Sequence, residues 1–368
     1  MNLNRYAMMT TLLLAFMLGI ALAEESAMTD VGARAANVAM AQLGVEMNDP
    51  DLLAMTDASY SMIEGKTTEA AIDGVSEATG CTIGKANLLI IHRSKFNPLW
   101  FFFFDKESGE AVFLQVREEA ATSSAEDLEA MSDEEVFSII SKEQISADYM
   151  LENAEEWNQK FDEKVFGGNE FSLTTIANIW AHPEVSYDFL QAACLHNHLC
   201  PGVSSGYFIL NYVEKKLPIT DPVNQSYKVI ACPVWCKEDA FQAIWDATPG
   251  KGGLFVKGLT GENRAALPDY AKDAAGIYIR WDSSTSTGDG LVVGSNSSKV
   301  KELYGIEACE GPWCWWTSRL ESDLAYMEYQ GQPEIACSTI MEFEVDQNNL
   351  TQLQEAGVNP YVHLGIVA

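Results

Sequence analysis

The sequence predicts an α+β fold built as two similar units, each a mixed or antiparallel sheet with packed helices, related by internal duplication. Three observations carry this. The chain has 368 residues and is 47% hydrophobic, enough for two cores. A helix running into a Gly-Lys turn and then a strand occurs twice: Glu69 to Val75, then Gly84-Lys85 and Leu88; and Glu238 to Ile244, then Gly250-Lys251 and Leu254. Each is followed by an aromatic strand ending in aspartate, Trp100 to Asp105 and Ile277 to Asp282.

Residues 1–23 read as a secretory signal. Arg5 supplies the positive start, residues 8–20 the apolar run and Ala21-Leu22-Ala23 the cleavage pattern. The expected division is then 24–165 for a degenerate first unit, 166–180 for a linker and 181–368 for a metal-binding second unit. Ala33 to Gln42 reads as an amphipathic helix, and Trp100-Phe101-Phe102-Phe103-Phe104 as a buried strand. Residues 121–165 are acidic and helical in pattern. Ser132 with Glu134 and Glu135 marks a helix start, and Val136, Ile139 and Ile140 give its apolar face. Gly167-Gly168-Asn169 reads as a turn.

The second unit carries the chemistry. Cys194-Leu195-His196-Asn197-His198-Leu199-Cys200-Pro201-Gly202 holds two of the chain's five histidines. An extended backbone there would put His196, His198 and Cys200 on one side. Pro201 suits the first turn of a helix whose apolar positions are Val203, Tyr207, Leu210 and Val213. Cys200 thus precedes a helix N-terminus, where a thiolate is favoured. Cys232-Pro233-Val234-Trp235-Cys236 has the same character, with Lys237-Glu238-Asp239 opening the next helix. The candidate metal ligands are His196, His198, Cys200, Cys232 and Cys236, a mixed N/S set suited to zinc or another transition metal. A Cys232–Cys236 disulfide, or buried inert thiols, is the alternative. The Gly-Lys turns are not phosphate loops, since the flanking Gly and Ser/Thr are missing. Cys309 pairs with Cys314 or Cys337 in an exported chain. Trp313, Trp315 and Trp316 are core residues or the walls of a flat-ligand site. Ile340 to Val345 and Tyr361 to Val367 read as closing strands.

A net charge of −30 disfavours nucleic acid and anionic lipid as partners. No segment after the signal is long and apolar enough to span a membrane. The expected partner is a metal ion, the expected location extracellular. A homodimer, or a pseudo-dimer of the two halves, is the assembly such a duplication allows.

His196-x-His198-x-Cys200-Pro201-Gly202 with Gly206-Tyr207, then Cys236-x-x-Asp239-Ala240-Phe241-Gln242 and Gly250-Lys251-Gly252, resemble the signature of the FmdE-type family, named for a component of formylmethanofuran dehydrogenase. That resemblance implies a metal-binding α+β domain. It does not imply the dehydrogenase reaction, which belongs to other components of that enzyme. The family's frequent zinc ribbon, with paired Cys-x-x-Cys, has no counterpart here. Gly80-Cys81-Thr82 in the first half resembles the family's Gly-Cys-Thr, which leaves Cys81 either structural or a contributor to a shared site. Three functions follow: a metal-binding protein, a metal-dependent or cysteine-nucleophile enzyme, and a binder of a metallo-tetrapyrrole.

Overall fold

The computed structural model describes residues 27–367, so the expected signal at 1–23 lies outside the described residues. The chain divides into two compact units, one ending at Asn178 and the other beginning at Ile179. Among the described residues no helix is long and apolar enough to cross a membrane.

The first unit opens with helix α1 (27–43) and strand β1 (Leu52–Thr56). A short hairpin of β2 (Met62–Ile63) and β3 (Lys66–Thr67) leads to α2 (Ala70–Thr79) and β4 (Leu88–Ile90). Strands β5 (Trp100–Asp105) and β6 (Glu110–Val116) follow. Three short helices, α3 (Glu118–Ala121), α4 (Ala125–Ala130) and α5 (Asp133–Val136), precede β7 (Phe137–Gln144). Helices α6 (Ala147–Glu152), α7 (Ala154–Glu163) and α8 (Glu170–Trp180) complete this part of the chain. The sheet order is β4-β1-β5-β6-β7, with β1 and β4 parallel and the other pairs antiparallel. The aromatic run is continuous because β5 is covered on both faces. Phe101 and Phe103 join the α1/α2 core, while Phe102 meets Phe166 and Trp100 meets Phe113 on the other side.

The second unit runs α9 (Tyr187–His196), α10 (Pro201–Lys216), β8 (Gln225–Ala231), α11 (Lys237–Trp245) and β9 (Leu254–Val256). After α12 (Gly261–Ala265) come β10 (Ala274–Asp282), β11 (Thr287–Ser295), α13 (Ser298–Tyr304) and α14 (Cys314–Glu328). Strand β12 (Cys337–Asp346) and helices α15 (Gln347–Gln354) and α16 (Pro360–His363) end it. Its sheet order is β12-β11-β10-β8-β9, again with one parallel edge pair, β8/β9, and antiparallel pairs elsewhere. Phe208, Val229, Ala231, Phe241 and Tyr326 pack on the α10/α11 face. Ile230, Cys232, Ile279 and Tyr361 pack on the opposite one.

The two units therefore share one α+β topology, strand for strand. The caps fix the register: Gly80 and Asp246 end α2 and α11 in the left-handed conformation, as Ala86 and Gly252 do the single turns that follow. Leu88 and Leu254 then open the parallel edge strands. In this register Ala70 corresponds to Cys236 and Asp73 to Asp239. The sequence-based pairing of Glu69 with Glu238 is out of step, because helical apolar spacing repeats after three or four residues and tolerates such a slip.

The units divide within 166–180, the stretch expected to join them, and the chain there is mostly the helix α8. Two local expectations need correction. Ile139 and Ile140 lie in β7: the helix begun at Ser132 is genuine, with Glu135 accepting from the Ser132 amide at 2.7 Å, but it ends at Val136. Tyr361 lies in a turn of helix, not a strand, because Asn359 caps the Tyr361 amide and Pro360 occupies the first helical position.

Candidate metal centre

The stretch around His196 is a helix–turn–helix corner, not the extended segment expected. Helix α9 runs up to His196 and stops because Asn197 takes the left-handed conformation, φ 64°, which asparagine tolerates. Buried Leu199 anchors the turn, and Cys200, in extended conformation, is the N-cap of α10. Cys236 is the N-cap of α11. Both cysteines thus sit at helix N-termini as expected, where unpaired amides and the helix dipole favour a negative sulfur.

Close backbone packing brings the two helix starts together. A Cβ on Gly202 would lie 2.8 Å from the Cys236 Cβ, 3.2 Å from its Sγ and 3.4 Å from the Cys200 Sγ. One turn on, a Cβ on Gly206 would lie 2.6 Å from the Lys237 carbonyl oxygen. Only glycine admits this approach. Tyr207 ties α9 to α10: its hydroxyl lies 2.8 Å from Ser186 Oγ and its ring 4.8 Å from Phe189.

The result is a compact donor group. One nitrogen of His196 and the sulfurs of Cys200 and Cys236 all lie within 4.8 Å of one another. His196 Nδ1 is 2.6 Å from Asp239 Oδ2, and Gln242 Nε2 donates to the other Asp239 oxygen at 2.8 Å. His196 Nε2 is buried and has no hydrogen-bond partner among the described residues. A carboxylate behind a histidine, with the remaining ring nitrogen bare beside two sulfurs, is the support that orients an imidazole toward a metal. The spacing Cys236-x-x-Asp239-x-x-Gln242 places all three on one face of α11.

The electrostatics agree. Burial alone would lower the His196 imidazolium, but the hydrogen bond to Asp239 and the neighbouring Cys236 raise it to about 9. A hydrogen bond from the Cys200 thiol, then the interaction with His196, bring Cys236 down to about 4. Cys200 is correspondingly raised, by its bond to Cys236 and by burial. Burial, reinforced by the His196 charge, pushes His198 down to about 4 and keeps it neutral. In the metal-free site these contacts favour a proton on His196 and on Cys200 over one on Cys236.

Two residues of the expected set lie outside this group. His198 stands beside it, its ring centroid 4.4 Å from that of His196. Cys232 is fully buried on the opposite face of the sheet, because it follows Ile230 in phase along the strand while Ala231 faces the helices. Burial raises its thiol to about 11, and it forms no disulfide with Cys236. The sequence marks Asp239 only as part of the opening of α11 and, with Gln242, of the family block; the fold brings it onto His196.

Neighbouring motifs resolve as structure. Lys237 and Glu238 form a buried ion pair. The Lys237 Nζ also donates to the Pro233 carbonyl at 2.7 Å and lies 3.6 Å over the Trp235 ring. Lys251 pairs with Asp246, the C-cap of α11, and Lys85 donates to the Gly80 carbonyl at 2.7 Å, so both turn lysines fold back on the preceding helix. Cys309 is bonded to Cys314, and Trp316 is buried in α14. Cys81 is enclosed in the first unit's core, its sulfur 3.4 Å from Asn87 Nδ2.

Fold and site together define a tandem α+β protein whose second unit carries one compact imidazole–thiol group. The family model described as "FmdE, Molybdenum formylmethanofuran dehydrogenase operon" matches residues 26–163 and 195–308, and the chain belongs to that family. The two matched segments correspond to the two structural units, and membership points to a metal-binding role. No curated protein matches the chain.

Proposed function

We propose that the second unit binds one zinc ion, or a similar transition-metal ion, through His196, Cys200 and Cys236, and that the protein works outside the cell as a metal carrier or sensor. The observation that carries this is the bare, buried Nε2 of His196 beside two sulfurs, with Asp239 fixing the ring from behind. Two thiolates and an imidazole suit zinc and other soft or borderline cations. When bound, the ion would be charge-neutralised by the thiolates. The chain's own part is to shed the proton on His196 and the thiol proton on Cys200, and to hold three donors at the mouths of two helices. His198 and Cys232 are not ligands in this reading.

Among the described residues the first unit has no matching donor group. In the shared register it has Ala70 where Cys236 stands, and Met28 lies one turn before Gly32 just as Gly202 lies one turn before Gly206. Export is supported by the pattern of residues 1–23 and by the Cys309–Cys314 bond. One observation favours a second reading, a metal-dependent enzyme: three protein donors leave one tetrahedral position for water or substrate. Asp239, the carboxylate touching the group, is committed to His196, which favours binding over hydrolysis. Elemental analysis of the natively purified protein and of His196→Ala, Cys200→Ala, Cys236→Ala and Cys232→Ala tests the assignment. The first three are expected to lose the ion and the last to keep it. Retention by Cys200→Ala or Cys236→Ala overturns it.

A further inference from the structure

We propose that the metal site is also a thiol–disulfide switch. Oxidation joins Cys200 to Cys236 and expels the ion, so that metal occupancy and redox state exclude each other. The proposal rests on the metal reading above.

The geometry is specific to this pair. Both cysteines are free thiols, while Cys309 and Cys314 in the same unit are already bonded. The two sulfurs lie no more than 4.8 Å apart and flank a single point, the place where a Gly202 Cβ would stand, at 3.2 and 3.4 Å. Closing to a disulfide of about 2.05 Å asks each sulfur to move by less than about 1.5 Å, within reach of side-chain rotation. Gly202 leaves the gap between them clear of any side chain. The sequence neighbour that would compete for Cys236 is Cys232, and it faces the other side of the sheet. Among the described residues, Cys200 is the cysteine grouped with Cys236 within 4.8 Å, and it is the fellow ligand.

The chemistry balances with a low-molecular-weight disulfide as oxidant. The Cys236 thiolate attacks the reagent, forming a mixed disulfide and releasing one small thiolate. The Cys200 sulfur then attacks the Cys236 sulfur, giving up its proton, where it still carries one, to the departing small thiolate, so that the Cys200–Cys236 bond forms as the bond to the reagent breaks. The two cysteines are oxidised by two electrons and the reagent is reduced to two small thiols or thiolates. The ion, left with His196 alone, departs with its charge balanced by those thiolates. A bound ion holds both sulfur lone pairs and slows the first attack, so the metal protects the thiols and its loss exposes them.

The test treats the full mature chain, zinc-loaded and metal-free, with bis(2-hydroxyethyl) disulfide. Peptides are mapped without reduction and released zinc is read with a chromogenic chelator. The metal-free chain is expected to yield a Cys200–Cys236 peptide cross-link and to take up no zinc until dithiothreitol restores it. The zinc-loaded chain is expected to react at least tenfold more slowly and to release one zinc per cross-link. Cys200→Ser should stop at the mixed disulfide on Cys236. Recovery of Cys200 and Cys236 as unreacted thiols or as separate mixed disulfides, in a chain that binds zinc, overturns the switch and leaves the metal reading intact. A chain that takes up no zinc overturns both.

Discussion

Gly202→Ala asks whether the contact between two helix starts sets the donor geometry. The added Cβ would stand 2.8 Å from the Cys236 Cβ, 3.2 Å from its sulfur and 3.4 Å from the Cys200 sulfur. Carbons pack at roughly 3.5–4.0 Å, so α10 and α11 must part by about 0.7 Å or more at this point. Metal sites tolerate ligand distances off by only about 0.2 Å, so the displacement exceeds what the donors can absorb. The expected loss in zinc affinity is about 10–100-fold, the range seen when the support behind a ligand fails. Overpacking should also cost the fold about 1–3 kcal/mol. Chelator competition under reducing conditions reads the first quantity, and thermal unfolding of the metal-free chain the second. A variant that melts lower yet binds zinc with wild-type affinity would refute the reasoning, because the donors would then not depend on this contact.

Four further outcomes are expected. Asp239→Asn should weaken zinc binding by about 10–100-fold without unfolding the protein, and nitrogen NMR of His196 should show the ring no longer held with its proton on Nδ1; wild-type affinity would show that Asp239 does not orient the ligand. Zinc affinity should climb with pH, since binding must displace a proton held on His196 up to about 9 and another on the Cys200 thiol, while Cys236 is already a thiolate above about 4. Each displaced proton adds about tenfold per pH unit, and a flat titration between pH 6 and 8 would contradict the site. In the metal-free chain the same His196 elevation stabilises the fold in full below pH 6.5, and that contribution fades as pH rises through about 9. At Asp57 burial outweighs the Trp100 amide and the Arg93 charge, which both favour the carboxylate. The carboxyl is raised from 3.8 to about 7, so the folded state binds that proton more tightly and stability falls as pH rises across this window. Asp57→Asn should flatten that fall in a pH series of melting curves, and an unchanged slope would remove Asp57 as its source.

Much of this is legible in the sequence because it rests on local chemistry. The Gly-Lys turns, the double-faced aromatic strand and the two helix starts at Cys200 and Cys236 follow from residue types at fixed spacings. The corner at Asn197 does not show, because alternation over five residues fits a strand as well as a turn between helices. Cys232 resembles a ligand through its nearness along the chain to Cys236, whereas strand phase decides which face of a sheet a side chain reaches. The role of Asp239 needs the fold, since no sequence spacing links position 239 to position 196. Strand β7 is hidden because an acidic run with a genuine helix cap precedes it.

The first unit carries a lesson about the second. It reaches the same strand order with Ala70 in place of a cysteine, held by helix contacts so tight that a Cβ on Gly74 would fall 1.9 Å from the Thr29 carbonyl oxygen. A scaffold that stands without donors does not need an ion to fold. Under the proposed metal reading, and unlike a zinc finger, which collapses when stripped, this architecture would give up an ion and keep its shape, the ion being cargo to it rather than a rivet.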